Sequence, residues 1–312
     1  MISDKDILGS LQGRTRKQHY LPRFFIQNFA DDRGNLAVLQ IIDNKAKVTV
    51  NRKAETVCVQ RDIYEVAQSG SCTQVPFPNG IENLFSKIEC GLSKELDRCF
   101  GIMETCLAGK ACSKEEIDGC KCLLATMIAL FACRSPAFAN REKMEIGRWL
   151  ADLQKAGFSS QESIRLEFER VLGRSIAPID LTPELLAQFL AIYSLVIPYN
   201  IKGCVSLPYR LACGLSRLDL EIRASPVGCP FVGIDFPVIA KLPLNSSGDG
   251  SCIFPLSSRF LACFVEKGGH EAPFVDCCSK QEVKRLNKEV LASKSWKVAF
   301  CCDRLPLDGY VC

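Results

Sequence analysis

The chain lacks most of the sequence motifs that identify a function directly. Histidine occurs only twice in 312 residues. The phosphate-binding loops G-x-x-x-x-G-K-S/T and G-x-G-x-x-G are absent, and so are G-x-S-x-G and H-E-x-x-H. These absences argue against a P-loop enzyme, a dinucleotide-binding Rossmann enzyme, a serine hydrolase with a nucleophile elbow and a zincin-type protease.

Long hydrophobic runs are also missing. The two longest apolar segments, 122–133 and 185–198, are shorter than the ~18–20 residues that a bilayer span needs, and they fit buried helices better. The first ten residues contain no hydrophobic stretch followed by a cleavage-like site, so no secretory signal is predicted. We therefore expect a cytoplasmic protein without a membrane partner.

The charge balance is nearly even. The 39 basic and 35 acidic side chains leave a net charge of only +4, whereas nucleic-acid-binding proteins usually carry a larger or more clustered excess. One local basic cluster occurs at 14–23, where Arg14, Arg16, Lys17, His19 and Arg23 occur without an acidic residue. Any attraction for nucleic acid or nucleotide is therefore expected there.

Cysteine is abundant, with 19 residues, but its pattern fits neither disulfides nor zinc. The total is odd, no C-x-x-C occurs, and close pairs such as Cys120 and Cys122 have no histidine at zinc-finger spacing. Without a secretory signal, disulfides are unfavourable. We interpret most of these cysteines as reduced, small, buried hydrophobic residues.

Hydrophobic periodicity divides the chain into three parts. Strands are predicted at 36–43 and 47–51, with a hairpin turn at Asp43-Asn44-Lys45. From residue 80 the apolar spacing becomes helical, and the capping box Ser113-Lys-Glu-Glu116 opens a second buried helix that runs to Arg134. Beyond 201 the chain returns to strands at 231–242, 251–254, 259–266 and 296–302, with a helix at 279–293.

This order predicts an α+β fold in which N- and C-terminal strands form a sheet around a mostly helical middle. Because no repeat and no long linker interrupts the chain, residues 1–312 are predicted to form a single domain. Within it, 1–17 are expected to be flexible, 80–200 helical and 201–312 rich in strands.

The most informative segment is His19-Tyr20-Leu-Pro-Arg-Phe-Phe-Ile-Gln-Asn-Phe29, which we call the box. It resembles the opening motif of a large, mostly bacterial family of unknown function whose members begin with His-Tyr-x-Pro. Further segments resemble that family in the same order along nearly the whole chain: Gly34–Val38, Asp62–Tyr64, Ile88-Glu89, Arg134–Pro136, Asp235–Val238, Pro255–Ser257 and Leu286-Asn287.

The chain departs from the family pattern around Asp235. The family tends to have Ser before this aspartate and Asn after it, whereas this chain has Ile234 and Phe236. Two polar groups are thus replaced by apolar ones, which weakens the case for a catalytic Asp235. The family has no settled activity, so the resemblance implies a shared site and leaves its chemistry open.

The resemblance and the residue types together select four candidate catalytic residues. His19 can act as a general acid or base, because an imidazole titrates near neutrality; alternatively, it fixes the box by bonding a backbone carbonyl. Glu89 borders the apolar face of its helix and needs a partner such as Arg134 or an imidazolium. Arg134 binds either an anion or the carbonyls at its helix end. Asp235 ends an apolar strand, where either a reactive group or a turn is common.

These residues lead to a first functional hypothesis, hydrolysis of a phosphodiester bond by a nuclease-like or toxin-like effector. His19, Glu89, Arg134 and Asp235 would meet in one polar pocket, with His19 as acid or base and Arg134 stabilising phosphate charge. The predicted substrate-binding residues are Arg16, Lys17, Tyr20, Arg23 and Asn287. No metal is required, although the carboxylates of Glu89 and Asp235 can hold Mg²⁺.

The alternative hypothesis is a non-catalytic protein that binds a ligand or a partner. In that case the box and Arg134 form a buried polar lock between the N-terminal hairpin and the helices, and Asn287 is structural. The sequence leaves both hypotheses open, and it does not predict the oligomeric state.

Overall fold

A computed structural model describes residues 17–61, 80–134, 207–240, 251–266, 273–293 and 296–308, together with scattered positions between 151 and 169. The chain divides into two compact units. The first comprises Met1–Gln18, Arg61–Lys87 and Pro136–Tyr209, and the second comprises His19–Gln60, Ile88–Ser135 and Arg210–Cys312. The single domain expected from the sequence stays a prediction.

Along the described ranges, strands lie toward both ends of the chain, and three successive helices lie between them. The strands are β1 (Lys17–His19), β2 (Leu36–Ile42), β3 (Lys45–Arg52), β4 (Val59–Arg61), β5 (Asp219–Ala224), β6 (Gly233–Ile234), β7 (Ile239–Ala240), β8 (Cys252–Pro255), β9 (Phe260–Val265), β10 (Val275–Cys277) and β11 (Val298–Cys301). The helices are α1 (Arg23–Gln27), α2 (Gly80–Leu107), α3 (Lys114–Arg134), α4 (Leu207–Leu215), α5 (Lys280–Ala292) and α6 (Leu305–Asp308). The α+β prediction is therefore confirmed.

One sheet joins the two ends of the chain. Its order is β3-β2-β11-β6 and all its neighbours are antiparallel. In the centre, Leu39 of β2 lies between Val48 of β3 and Ala299 of β11. The prediction that N- and C-terminal strands share a sheet is thus confirmed. The hairpin turn is also confirmed: Asp43 and Asn44 both have positive φ, 49° and 60°, as a two-residue turn of this kind requires.

A second sheet belongs to the C-terminal part alone, in the order β10-β5-β9-β8-β7. Its strands are antiparallel except for β10 and β5, which are parallel. Strands β1 and β4 form a separate two-stranded sheet.

The single strand predicted over 231–242 is wrong. The structure forms two short strands there, β6 and β7, which belong to different sheets. The chain leaves the first sheet after Ile234, where the Asp235 N–H still donates to the Val298 carbonyl. Pro237 cannot donate a backbone hydrogen bond, so the ladder cannot continue through it.

Helices α2 and α3 form as the apolar spacing predicts. The capping box is confirmed, since the Ser113 N–H donates to Glu116 Oε2 at 2.8 Å and the Glu116 N–H donates to Ser113 Oγ at 3.2 Å.

A disulfide joins Cys106 to Cys112, with Cα atoms 6.3 Å apart. The expectation that disulfides are unfavourable is therefore wrong for this pair, which a short loop brings together.

Among the described residues of the second unit, two groups of apolar side chains pack together. In the first, α5 packs its buried residues Val283, Leu286 and Val290 in one cluster with Leu39 and Ala299 of the N- and C-terminal sheet. In the second, aromatic rings surround the box: Phe25 contacts Phe29, Phe131 of α3 and Phe254 of β8, and Phe29 contacts Phe300 of β11. Helix α1 is thereby fixed against α3 and both larger sheets.

Several predictions lie outside the described residues, namely much of the helical middle beyond Arg134 and the turn between β7 and β8. Within the described helices, none combines the length and the hydrophobicity that crossing a bilayer requires.

Candidate functional site

The backbone of the box is held by hydrogen bonds at each end. Strand β1 ends at His19, and the Tyr20 N–H donates to the Cys58 carbonyl at 3.2 Å. Pro22 precedes the first turn of α1, where its missing N–H costs nothing, and its carbonyl accepts from Phe25 and Ile26. Phe25 and Ile26 are fully buried. The positions of His19 and Tyr20 are consequently fixed on both sides.

Arg134 and Glu89 form an ion pair beside the box, in which the arginine is buried and the glutamate is partly buried. Nη1 of Arg134 donates to Oε1 of Glu89, and Nη2 donates to the His19 carbonyl at 2.9 Å. The Arg134 side chain is only 3% exposed and that of Glu89 is 22% exposed. One guanidinium therefore connects the end of α3, the N-terminal half of α2 and the end of β1.

The His19 imidazole lies among these groups. Its pKa is lowered from the ordinary value of 6.5, chiefly by burial, and the charges of Arg134 and Arg23 lower it further, while a hydrogen bond with the Ala54 backbone and the charge of Glu89 oppose the shift. The side chain is partly exposed, but Nε2 is buried. At neutral pH the ring is hence neutral, and one of its nitrogens is shielded from solvent.

Tyr20 and Asp235 form a second polar group. The Tyr20 hydroxyl donates to Asp235 Oδ2 at 3.3 Å, and Asp235 Oδ1 accepts from the Lys297 N–H at 3.0 Å. Burial raises the pKa of both side chains. The Cys58 thiol is buried beside the tyrosine, and this burial raises the pKa of the thiol as well. This group connects the box to the strand end after β6 and to β11.

The four candidate catalytic residues thus fall into two groups of contacts, joined by the peptide between His19 and Tyr20. The charges of Glu89, Arg134 and Arg23 act on His19, which hydrogen bonds with the Ala54 backbone, whereas Asp235 bonds Tyr20 and the Lys297 N–H before β11. Convergence of all four head groups in one pocket stays a prediction.

The predicted substrate-binding residues occupy different environments. Arg23 forms an exposed ion pair with Glu55 at 2.5 Å, and Lys17 is exposed on β1. Arg16 lies outside the described residues. Asn287 is buried: its Nδ2 donates to the Pro230 carbonyl at 2.9 Å and its Oδ1 accepts from the Val232 N–H at 3.0 Å. Both ends of this amide serve the fold.

Sequence reasoning missed Cys58 as a member of the site. It has a positive φ of 54°, which is unusual for a residue with a side chain. Because cysteine occurs in many apolar contexts of this chain, its position alone gave no signal. Within the described ranges, no three side chains of the types that commonly bind metals lie together, and Mg²⁺ binding by Glu89 with Asp235 stays a prediction.

The fold and the site define an α+β protein whose N-terminal box is joined to its helices and strands by two buried polar groups. The chain belongs to the family described as protein of unknown function DUF4238, whose model matches residues 17–301. This range runs from β1 to β11 and includes every described residue of the site. Neither a curated protein nor a solved structure matches the chain.

Proposed function

We propose that the protein acts by binding a partner, and that the box with Arg134 is a structural lock which holds the binding surfaces in place. The observation that carries this proposal is the burial of Arg134. A guanidinium that is 3% exposed and donates to both Glu89 and the His19 carbonyl has no surface left with which to grip a phosphate.

The other polar groups support the same proposal. The Tyr20 hydroxyl and the Asp235 carboxylate bond each other, and the Asn287 amide bonds two backbone groups. Buried polar groups that satisfy one another in this way stabilise and specify a fold. A catalytic acid or base, by contrast, must lie within ~3 Å of the group with which it exchanges a proton, or must reach that group through one water molecule.

A second candidate function is phosphodiester hydrolysis, and the state of His19 favours it. A neutral, partly exposed imidazole beside Glu89 can accept a proton from an attacking water as the new P–O bond forms, and can return it to the leaving oxygen. In this candidate Arg134 positions Glu89 and the box, while the exposed cations Arg23 and Lys17 attract the polyanion. In this candidate, cleavage should occur only at pH values above the pKa of His19, where the imidazole is neutral and can accept a proton.

One experiment separates the two candidates. Purified protein and a His19→Gln variant are incubated with RNA, DNA and nucleotides, with Mg²⁺ or EDTA, and the melting temperature of each protein is measured. The binding proposal predicts no cleavage that depends on His19. Cleavage by the parent that is lost in the variant at an unchanged melting temperature would overturn it in favour of hydrolysis.

A further inference from the structure

Exposed hydrophobic side chains concentrate on the β2–β3 hairpin. Within the described part of the chain, Ile41, Ile42 and Val50 are 40%, 53% and 49% exposed, and only two other large hydrophobic residues, Leu166 and Val227, exceed the same level of exposure. Isolated exposed apolar residues are ordinary, whereas a group on one element often marks an interaction surface.

Strand β3 forms the edge of its sheet, and its outward backbone groups can be identified. The Ile41 N–H donates to the Lys297 carbonyl, so the backbone groups of Ile41 point toward β11. Because successive residues of a strand point their backbone groups to opposite sides, those of Gln40 point toward β3. Gln40 pairs with Lys47. The N–H and C=O groups of the neighbouring residues Ala46 and Val48 therefore point away from the sheet, and no other described strand pairs with them.

The edge is basic. Lys45 and Lys47 are exposed, and β3 contains no acidic residue. Neither lysine forms an ion pair with the residues that the structure describes, whereas Arg52 is occupied by Thr56 at 3.1 Å. The lysine side chains project on one face of the strand, and those of Ala46, Val48 and Val50 project on the other.

We propose that the outer edge of β3 binds an extended acidic segment of a partner protein, which adds to the sheet as a further strand. The backbone groups of Ala46 and Val48 supply the main-chain hydrogen bonds, as in known cases of strand addition. Acidic side chains of the segment lie beside Lys45 and Lys47, and apolar ones lie beside Val48 and Val50. This inference deepens the proposed binding function and rests on it.

Charge selects this partner over a second copy of the chain. Two β3 edges placed side by side would bring four lysines together, and like charges on neighbouring strands are destabilising. An acidic strand instead neutralises the edge. Exposed edge lysines also discourage non-specific pairing between edges, so binding has to be demonstrated with a matched series of probes.

The probe is a fluorescein-labelled peptide of about eight residues in which glutamate and valine alternate, a length that spans β3. Fluorescence anisotropy measures its binding to the full-length protein. One control peptide replaces each glutamate with lysine. A second keeps the glutamates but carries central prolines, which preserve the charge and prevent strand pairing.

Two protein variants test the two parts of the contact. Lys45→Glu combined with Lys47→Glu should weaken binding by at least about tenfold, because the charges then repel. Val48→Pro should weaken it by about tenfold, since it removes one outward N–H without touching the ladder to β2. The lysine variant should keep the melting temperature of the parent, whereas Val48→Pro should lower it, because the Val48 side chain packs against the core. If Val48→Pro unfolds, the lysine variant alone decides.

Saturable binding of the glutamate–valine peptide that both controls lack, and that the lysine variant loses, supports the proposal. Equal binding of the proline-containing peptide overturns it, because the attraction is then charge alone. Binding that the variants do not change, or no binding, also overturns it. A concentration-dependent dimer that Val48→Pro abolishes would assign the edge to a second copy. None of these outcomes involves His19, so a failure here is distinguishable from a failure of the lock.

Discussion

The hydroxyl of Tyr20 donates to the carboxylate of Asp235, a residue 215 positions further along the chain. This bond joins the box to the point where the chain leaves the first sheet after β6. The same carboxylate accepts from the Lys297 N–H at the start of β11. Asp235 therefore connects three segments that are distant in sequence. Its burial should also affect how stability depends on pH.

Replacing Asp235 by Asn should change how stability depends on pH. Burial raises the pKa of Asp235 in the folded protein above its ordinary value of 3.8. The folded state therefore holds the proton more tightly than the unfolded state, and stability is lost as pH rises from 3.8 through the folded pKa. The amide carries no charge, so the Asn variant should gain stability relative to the parent over this range.

Urea unfolding at several values between about pH 2.5 and 8 measures this difference. Asp31→Asn is the matched control with the opposite sign. Hydrogen bonds from the Asn35 backbone lower the pKa of Asp31 below its ordinary value of 3.8, so that variant should lose stability relative to the parent as pH rises to about 3.8 and should then run parallel to it. Parallel behaviour of the two variants would contradict the assignment of Asp235.

Asn287 should be important for stability and not for binding. Asn287→Ala leaves the buried carbonyl of Pro230 and the N–H of Val232 without their partner, and each such loss costs about 1–3 kcal/mol. We therefore expect the free energy of unfolding to fall by about 2 kcal/mol or more, measured by urea denaturation. The control Lys288→Ala, at an exposed neighbour on the same helix, should stay within about 0.5 kcal/mol of the parent.

Two glycines should respond to alanine with opposite signs. At Gly233 on β6 an added Cβ would lie 2.9 Å from Cδ2 of Phe300, and other ring atoms crowd it as well. Gly233→Ala should consequently destabilise the protein by about 1–3 kcal/mol. At Gly91 in α2 nothing lies within 4 Å, and the helix propensity of alanine should stabilise the protein by about 0.5–1 kcal/mol. Melting temperatures of the two variants test the pair.

Local chemistry made much of the fold predictable. The capping box at Ser113 and the apolar spacing before Leu107 place the bounds of α2 and α3, and the Asp43-Asn44 turn places the first hairpin, because each depends on residues a few positions apart. The same is true of Ser279, whose hydroxyl accepts from the Glu282 N–H at the start of α5.

Long-range partners were not predictable in the same way. Hydrophobicity made 231–242 look like one strand, although the chain changes sheets between Ile234 and Ile239. The sequence offered Arg134 or an imidazolium as the partner of Glu89, and the structure forms the ion pair with Arg134. It gave no reason to pair Tyr20 with Asp235 or to include Cys58. Motifs in a shared order show which residues recur along the sequence, but not which side chains contact each other.

The most direct test of the lock is a double-mutant cycle on Arg134 and Glu89. Urea unfolding is measured for Arg134→Met, Glu89→Gln and the double variant, beside the same cycle on the exposed pair Arg285 and Glu289. Removing one partner of a buried ion pair leaves the other charge without a partner, so Arg134→Met should lower the free energy of unfolding by about 3 kcal/mol.

The buried pair should show a coupling energy of at least about 1.5 kcal/mol, and the exposed pair no more than about 0.5 kcal/mol. Equal and negligible coupling in both cycles, with Arg134→Met as stable as the parent, would contradict the lock.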